Sequence, residues 1–207
     1  MKVTCFDIEA TDLGGNFGRL LCCSFIDLDS TEVETYRRDK RPWKPSRGQK
    51  ITDDSKLAVA IRDRLEQSDI IVGWNSILYD VPFINTRLVA AGERPVRVGE
   101  KHGSHHLDLM YYAGGQSMRL PGRRLDLVAK FFHTDNAKTP LTPEVWADAS
   151  TGDADAMASV VEHCEADIQV TKDVFYKLAP FVKKIQFNLS DVWPFIDQIP
   201  SRKNQRG

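Results

Sequence analysis

Asp7 and Glu9 sit on alternate residues of an otherwise apolar segment, Val3-Thr4-Cys5-Phe6-Asp7-Ile8-Glu9. In a strand, successive side chains point to opposite faces, so the two carboxylates share one face. Neighbouring carboxylates repel, and a fold keeps them in an apolar strand most readily when a divalent cation neutralises them. Asp7 and Glu9 are therefore read as half of a metal site.

Two further stretches carry reactive groups. From Arg37 to Lys50, seven cations (Arg37, Arg38, Lys40, Arg41, Lys44, Arg47 and Lys50) face the single acid Asp39, with Tyr36 and Trp43 interleaved. Cations mixed with aromatics suit a loop that tracks phosphates; the alternative is a solvated hairpin extension, the commoner fate of a charge run. His102, His105 and His106 gather three imidazoles within five residues. No fourth ligand lies nearby, and the Gly-containing surroundings favour a loop over a zinc site.

The elements that must position these groups follow from periodicity. Residues 2–9, 20–28 and 32–38 read as three strands of an antiparallel meander, the second pair joined by Asp29-Ser30-Thr31. A helix is expected from about Asp53, with Leu57, Val59, Ile61 and Leu65 as its stripe. Asp69 to Trp74 is a short buried strand, and Asp80 to Ala91 is helical with Pro82 in its first turn. Leu107-Asp108-Leu109 is a further strand, and helices are expected over 124–132 and 153–178. A mixed sheet flanked by helices, an α/β architecture, is the natural outcome.

Composition narrows the class. The 207 residues carry 42% hydrophobic and 28% charged side chains, ordinary for one globular core, and no Pro/Gly/Ser linker divides them. No apolar run approaches membrane-spanning length, and Asp7 and Glu9 interrupt the first apolar segment, which argues against a signal peptide. Cys5, Cys22, Cys23 and Cys164 lack the paired spacing of zinc or redox sites, so a cytoplasmic setting is expected. The net charge of -1 excludes binding to nucleic acid by global basicity alone.

Three segments now stand in a familiar order: Asp7-Ile8-Glu9, Asn75-Ser76-Ile77-Leu78-Tyr79-Asp80 after a buried strand, and His163-Cys164-Glu165-Ala166-Asp167 in a late helix. By these the chain resembles the DEDD 3'-5' exonucleases of the ribonuclease H-like fold, and most of all the exonuclease portion of family B DNA polymerases. A lone D-x-E triplet arises by chance; three ordered motifs on suitable elements are far more specific. The resemblance implies an exonuclease domain over residues 1–182, followed by a C-terminal extension with a basic tail over 183–207. It implies a stand-alone enzyme that hydrolyses phosphodiester bonds at the 3' end of DNA, or of RNA, releasing nucleoside monophosphates. Single-stranded DNA or 3' ends are the implied partners, with replication or repair proteins beside them. The alternatives are a weak or inactive nucleic-acid-binding module of the same fold, or a ribonuclease H-like endonuclease. The four acids argue against the first, and the Asp80 and Asp167 motifs against the second.

Phosphodiester hydrolysis needs an activated water and charge stabilisation on the attacking and leaving oxygens, which two metal ions about 4 Å apart provide. Four carboxylates match that charge, and all-oxygen ligands imply Mg2+ or Mn2+. By similarity, Asp7 bridges both ions, Glu9 and Asp167 hold the ion that activates water, and Asp80 supports the second. One branch of the family has Y-x3-D in its last motif and the other H-x4-D; His163 and Asp167 combine the first spacing with the second residue. At i and i+4 on a helix they share a face, which makes His163 the candidate general base or water-orienting group. Thr11 and Leu13 follow the acids as the family's substrate-contacting turn does, and Trp74 and Asn75 border the same pocket. Trp74 either stacks on a base or packs in the core. Asp108 and Asp126 resemble further family signposts outside the catalytic set.

Overall fold

The alternation that places Asp7 and Glu9 together also makes their strand the middle of the sheet. In the computed structural model, which describes residues 1–50, 52–98, 104–116, 118–120, 123–134 and 141–181, a five-stranded mixed sheet has the order β3-β2-β1-β4-β5. The strands are β1 (Val3–Ala10), β2 (Leu20–Asp27), β3 (Glu34–Arg37), β4 (Ile70–Gly73) and β5 (His105–Asp108). β1 pairs antiparallel with β2 and parallel with β4, and β4 pairs parallel with β5. The helices are α1 (Ser55–Leu65), α2 (Asp80–Ala90), α3 (Leu109–Tyr111), α4 (Leu125–Phe132), α5 (Pro143–Thr151) and α6 (Ala154–Leu178). The expected α/β sheet flanked by helices is the observed fold.

Each sheet face buries its own set. Phe6, Ile8 and Phe25 pack against Leu57 and Ile61 of α1 and Ile84 and Leu88 of α2. Val3, Cys5 and Ile26 face Val128 of α4 and Ile168 and Val174 of α6 on the other side. A third cluster joins Leu21 and Cys22 to Ala149 of α5 and Val160 and Cys164 of α6. Burying each Leu or Ile contributes roughly 1.5–3 kcal/mol, so α6 is held along much of its length. Its start is set by Asp153, whose Oδ1 accepts from the Asp155 and Ala156 amides at 3.1 and 2.8 Å.

Several local features depart from the sequence expectations. β3 begins at Glu34 rather than 32, and α3, a π-turn over Tyr112–Gln116 and α5 carry no strong local pattern. The basic segment is no hairpin extension: it is the crossover from the edge strand β3 to α1. Two of its cations serve the fold, because Arg37 pairs with Asp39 at 2.7 Å and buried Arg38 donates to the Ser150 carbonyl at 3.2 Å. Of the three histidines read as a loop, His105 and His106 instead open β5, where His106 exchanges a hydrogen bond with Ser76 Oγ at 2.8 Å, while His102 lies outside the described residues. The C-terminal extension expected over 183–207 lies outside them too. All four cysteines are buried and free, and no described helix is long and apolar enough to cross a membrane.

Candidate active site

β1, β4 and β5 run parallel, so their carboxyl ends meet at one sheet edge, the usual location of sites in open α/β sheets. Asp7 and Glu9 project there from β1. A register shift against β2 falls between Glu9 and Ala10 and ends the regular ladder at the site. Next door, β4 turns sharply into the segment that leads to α2. Gly73 is required at that turn, since a Cβ would lie 2.3 Å from Ser76 Oγ. Asn75 adopts a left-handed conformation, φ 61°, which Asn tolerates better than most residues.

The carboxylate that holds this turn is Asp108, at the end of β5. Its Oδ1 accepts from the Asn75 and Met110 amides and its Oδ2 from the Ile77 amide, each at 3.0 Å. Hydrogen bonds to a charged group contribute about 1.5–3 kcal/mol each, so the turn is strongly fixed. It delivers Asp80 to the first turn of α2, where the Ile8 amide of β1 donates to Asp80 Oδ1 at 3.2 Å. Asp80 is only 3% exposed. Burial pushes its carboxyl up to about 7, the Ile8 amide opposes this, and the charge of Asp108 adds to it.

α6 supplies the remaining groups. His163 Nε2 lies 3.7 Å from Glu9 Oε1 and 3.8 Å from Asp167 Oδ2, between a strand carboxylate and a helix carboxylate. The ring of Trp146 on α5 meets the imidazole edge-on with centroids 6.0 Å apart. Cys164 Sγ donates to the Asp7 carbonyl at 3.5 Å and approaches its Oδ2 at 3.8 Å. Burial, then the neighbouring Cys22 and Asp7, push this thiol well up, which keeps it a protonated donor. Glu165 points elsewhere, accepting from Thr35 Oγ1 at 2.6 Å.

Asp7, Glu9, Asp80, His163 and Asp167 together line one open cleft of about 360 Å³. Trp74 and Asn75 line it as well, while Thr11 and Leu13 do not. Thr11 closes the loop that follows β1: its amide donates to the Arg19 carbonyl and its hydroxyl accepts from the Arg19 amide, both at 3.0 Å. Leu13 stands 85% exposed on that loop. Trp74 is half-buried against the core, with Nε1 donating to the Arg123 carbonyl at 3.0 Å. Asp126, named in the sequence as a signpost outside the catalytic set, also lines the cleft, as do Tyr79, Met110, Arg123 and Arg124, which were not singled out. Tyr79 alone had a signal, since it stands beside Asp80 within the second motif.

The donor set fits hard divalent cations. Ligand atoms of Asp7 and Glu9 lie, with Cys164 Sγ, within 4.8 Å of one another. Asp80 is a buried carboxylate that forms no ion pair with a basic group among the described residues. Carboxylates so placed bind cations through oxygen.

A family model described as the RNase_H superfamily matches residues 4–179. Among solved structures, the fold is similar to part of the family B DNA polymerase from the hyperthermophilic archaeon Pyrobaculum calidifontis, with a TM-score of 0.65 and 20% identity. The alignment covers 87% of this chain and 25% of that one, so the chain spans about a quarter of the polymerase's length. No curated protein matches the sequence significantly.

Proposed function

The chain belongs to the RNase H superfamily, and from that premise we propose that it is a metal-dependent 3'-5' exonuclease of the DEDD type, acting on DNA or RNA. The observation that carries this reading is the convergence of four carboxylates and one imidazole, from β1, α2 and α6, in a single cleft. Asp7, Glu9, Asp80 and Asp167 would hold the cations, Mg2+ or Mn2+ by the hardness of their oxygens. Such cations, when bound, lower the pKa of a coordinated water and neutralise charge on phosphate oxygens.

The chain's own residues set the geometry around that chemistry. His163 Nε2, held between Glu9 and Asp167, orients the attacking water and accepts its proton. The Asp108 turn keeps Asp80 and Asn75 in place, so the pocket is organised before substrate arrives. Trp74 and Tyr79 offer flat apolar surface beside the acids for the terminal base, and Arg123 offers positive charge at the rim for a phosphate, while Arg124 is paired with Asp126 at 3.0 Å. Thr11 and Leu13, outside the cleft, meet the nucleotide at its margin. The domain with this activity spans residues 1–182.

The test is product analysis on 5'-labelled single-stranded DNA and RNA with Mg2+ or Mn2+. A ladder shortening from the 3' end, blocked by a modified 3' terminus and abolished in Asp7→Ala, is expected. Internal cuts in a 3'-blocked strand would make the protein an endonuclease. Activity near wild type in Asp7→Ala would remove the metal mechanism.

A further inference from the structure

Several arginines of the fold are committed to acids: Arg62 to Asp63 and Glu93, Arg64 to Asp27 and Glu34, Arg87 to Asp54 and Arg94 to Glu66. Arg41, Lys44 and Arg47 are different. All three are exposed, and none forms an ion pair with a described residue. Together with Lys56 of α1 they line one cavity of about 710 Å³, and none of the described residues that line it is acidic. Four exposed like charges around one concavity raise the local positive potential and draw anions towards it.

The segment has a defined shape. Trp43 stacks on Tyr36 of β3 with ring centroids 4.2 Å apart. Lys56 Nζ donates to Ser46 Oγ at 2.7 Å, and the Ser46 amide donates to Gln49 Oε1 at 2.6 Å. These contacts hold Lys56 and shape the backbone that carries Arg41, Lys44 and Arg47.

Its place in the fold links it to the acidic cleft. Glu9 pairs with Cys22 and Cys22 with Arg37, so the basic segment leaves the sheet from the row that carries Glu9. The loop after β1 touches both regions, since Tyr79 of the cleft donates through its hydroxyl to the Asp12 carbonyl at 3.4 Å. The loop after β1 exposes Phe17 at 80%, its Gly15 carbonyl accepts from Arg87 Nη1 at 3.1 Å, and Arg87 grips Asp54, which immediately precedes α1. An exposed aromatic ring on a loop that touches an acidic cleft and, through Arg87 and Asp54, the start of α1, whose Lys56 lines a basic cavity, is a combination that binds single strands, with bases stacking on rings and phosphates meeting spaced cations.

We infer that the cavity of Arg41, Lys44, Arg47 and Lys56 binds the phosphates of a single-stranded nucleic acid whose 3' end lies in the acidic cleft, the strand passing over Phe17. This rests on the exonuclease reading for the location of the 3' end. The recognition is independent of sequence, because it addresses phosphates and ring faces alone.

The experiment titrates a fluorescein-labelled single-stranded DNA of mixed sequence with the full chain in EDTA, where nothing is cleaved, across a KCl series. In Arg41→Gln/Lys44→Gln/Arg47→Gln, the slope of log affinity against log salt is expected to become shallower by about 2, since each phosphate contact on a single strand contributes about 0.7. An unchanged slope and affinity overturn the proposal, as does a wild-type chain that does not bind the strand. Binding with the expected slope change but no cleavage in Mg2+ or Mn2+ supports the strand path and removes the exonuclease reading. Cleavage with an unchanged slope does the reverse.

Discussion

The amide of Ile8 donates to Asp80 Oδ1 across 3.2 Å. Ile8 lies between Asp7 and Glu9, and its own side chain is buried on the opposite sheet face against α1 and α2. One peptide therefore ties the acids of the strand to the acid of the helix through a bond of the protein itself. The cleft is organised by backbone, and the cations it suits complete its charge balance.

Asp80 gives a stability test. Burial holds its carboxyl up to about 7, above the ordinary 3.8. A raised carboxyl contributes stability that is full below the unfolded value and lost as pH rises through about 7. In EDTA, Asp80→Asn should thus exceed wild type in stability at pH 8, by up to about 4 kcal/mol, with the gap closing towards pH 4. Adding Mn2+ at pH 8 should raise the Tm of wild type more than that of the variant. Thermal melts that coincide from pH 4 to 8 would show that Asp80 is not held in this way.

His163 is tested by rate. His163→Ala should lower kcat roughly 100-fold to 10,000-fold while substrate affinity in EDTA barely changes. His163→Tyr places a phenol four residues before Asp167 and should restore part of the rate, with the acid limb of the pH–rate profile gone. Full kcat and an unaltered profile in His163→Ala would make the imidazole structural.

Asp108 acts at a distance from the chemistry. Asp108→Ala leaves the amides of Asn75, Ile77 and Met110 without their acceptor, which should cost about 2–4 kcal/mol in urea unfolding. Turnover should fall as well, because the same turn places Trp74 and Asp80. A stability change under about 0.5 kcal/mol, the range of ordinary surface substitutions, would refute this role.

His106 sets an acid limit. Burial holds its imidazole down to about 4, and Ser76 Oγ bonds Nε2. A depressed imidazole contributes stability present above the unfolded value of about 6.5 and lost as pH falls through about 4. The His106 contribution should fall by up to about 3 kcal/mol over that window, so wild type should lose that much stability relative to His106→Phe. Parallel Tm curves for the two proteins between pH 7 and 4 would place the acid sensitivity elsewhere.

Much of this molecule was legible in its residues. The alternation of Asp7 and Glu9, the buried run Ile70–Gly73, the i, i+4 spacing of His163 and Asp167 and the Asp153 cap are local signals, because a strand repeats every two residues and a helix every 3.6. Tertiary structure alone decided what those elements meet. Asp108 takes up the amide of Asn75 from 33 positions away, and Cys164 reaches Asp7 across 157. α5 brings Trp146 against His163, and the edge position of β3 turns an expected hairpin into a crossover that spends Arg38 on α5 and leaves Arg41, Lys44 and Arg47 around a cavity. No periodicity encodes such pairings: they depend on which elements become neighbours when two sheet faces are buried at once, a property of the whole packed chain.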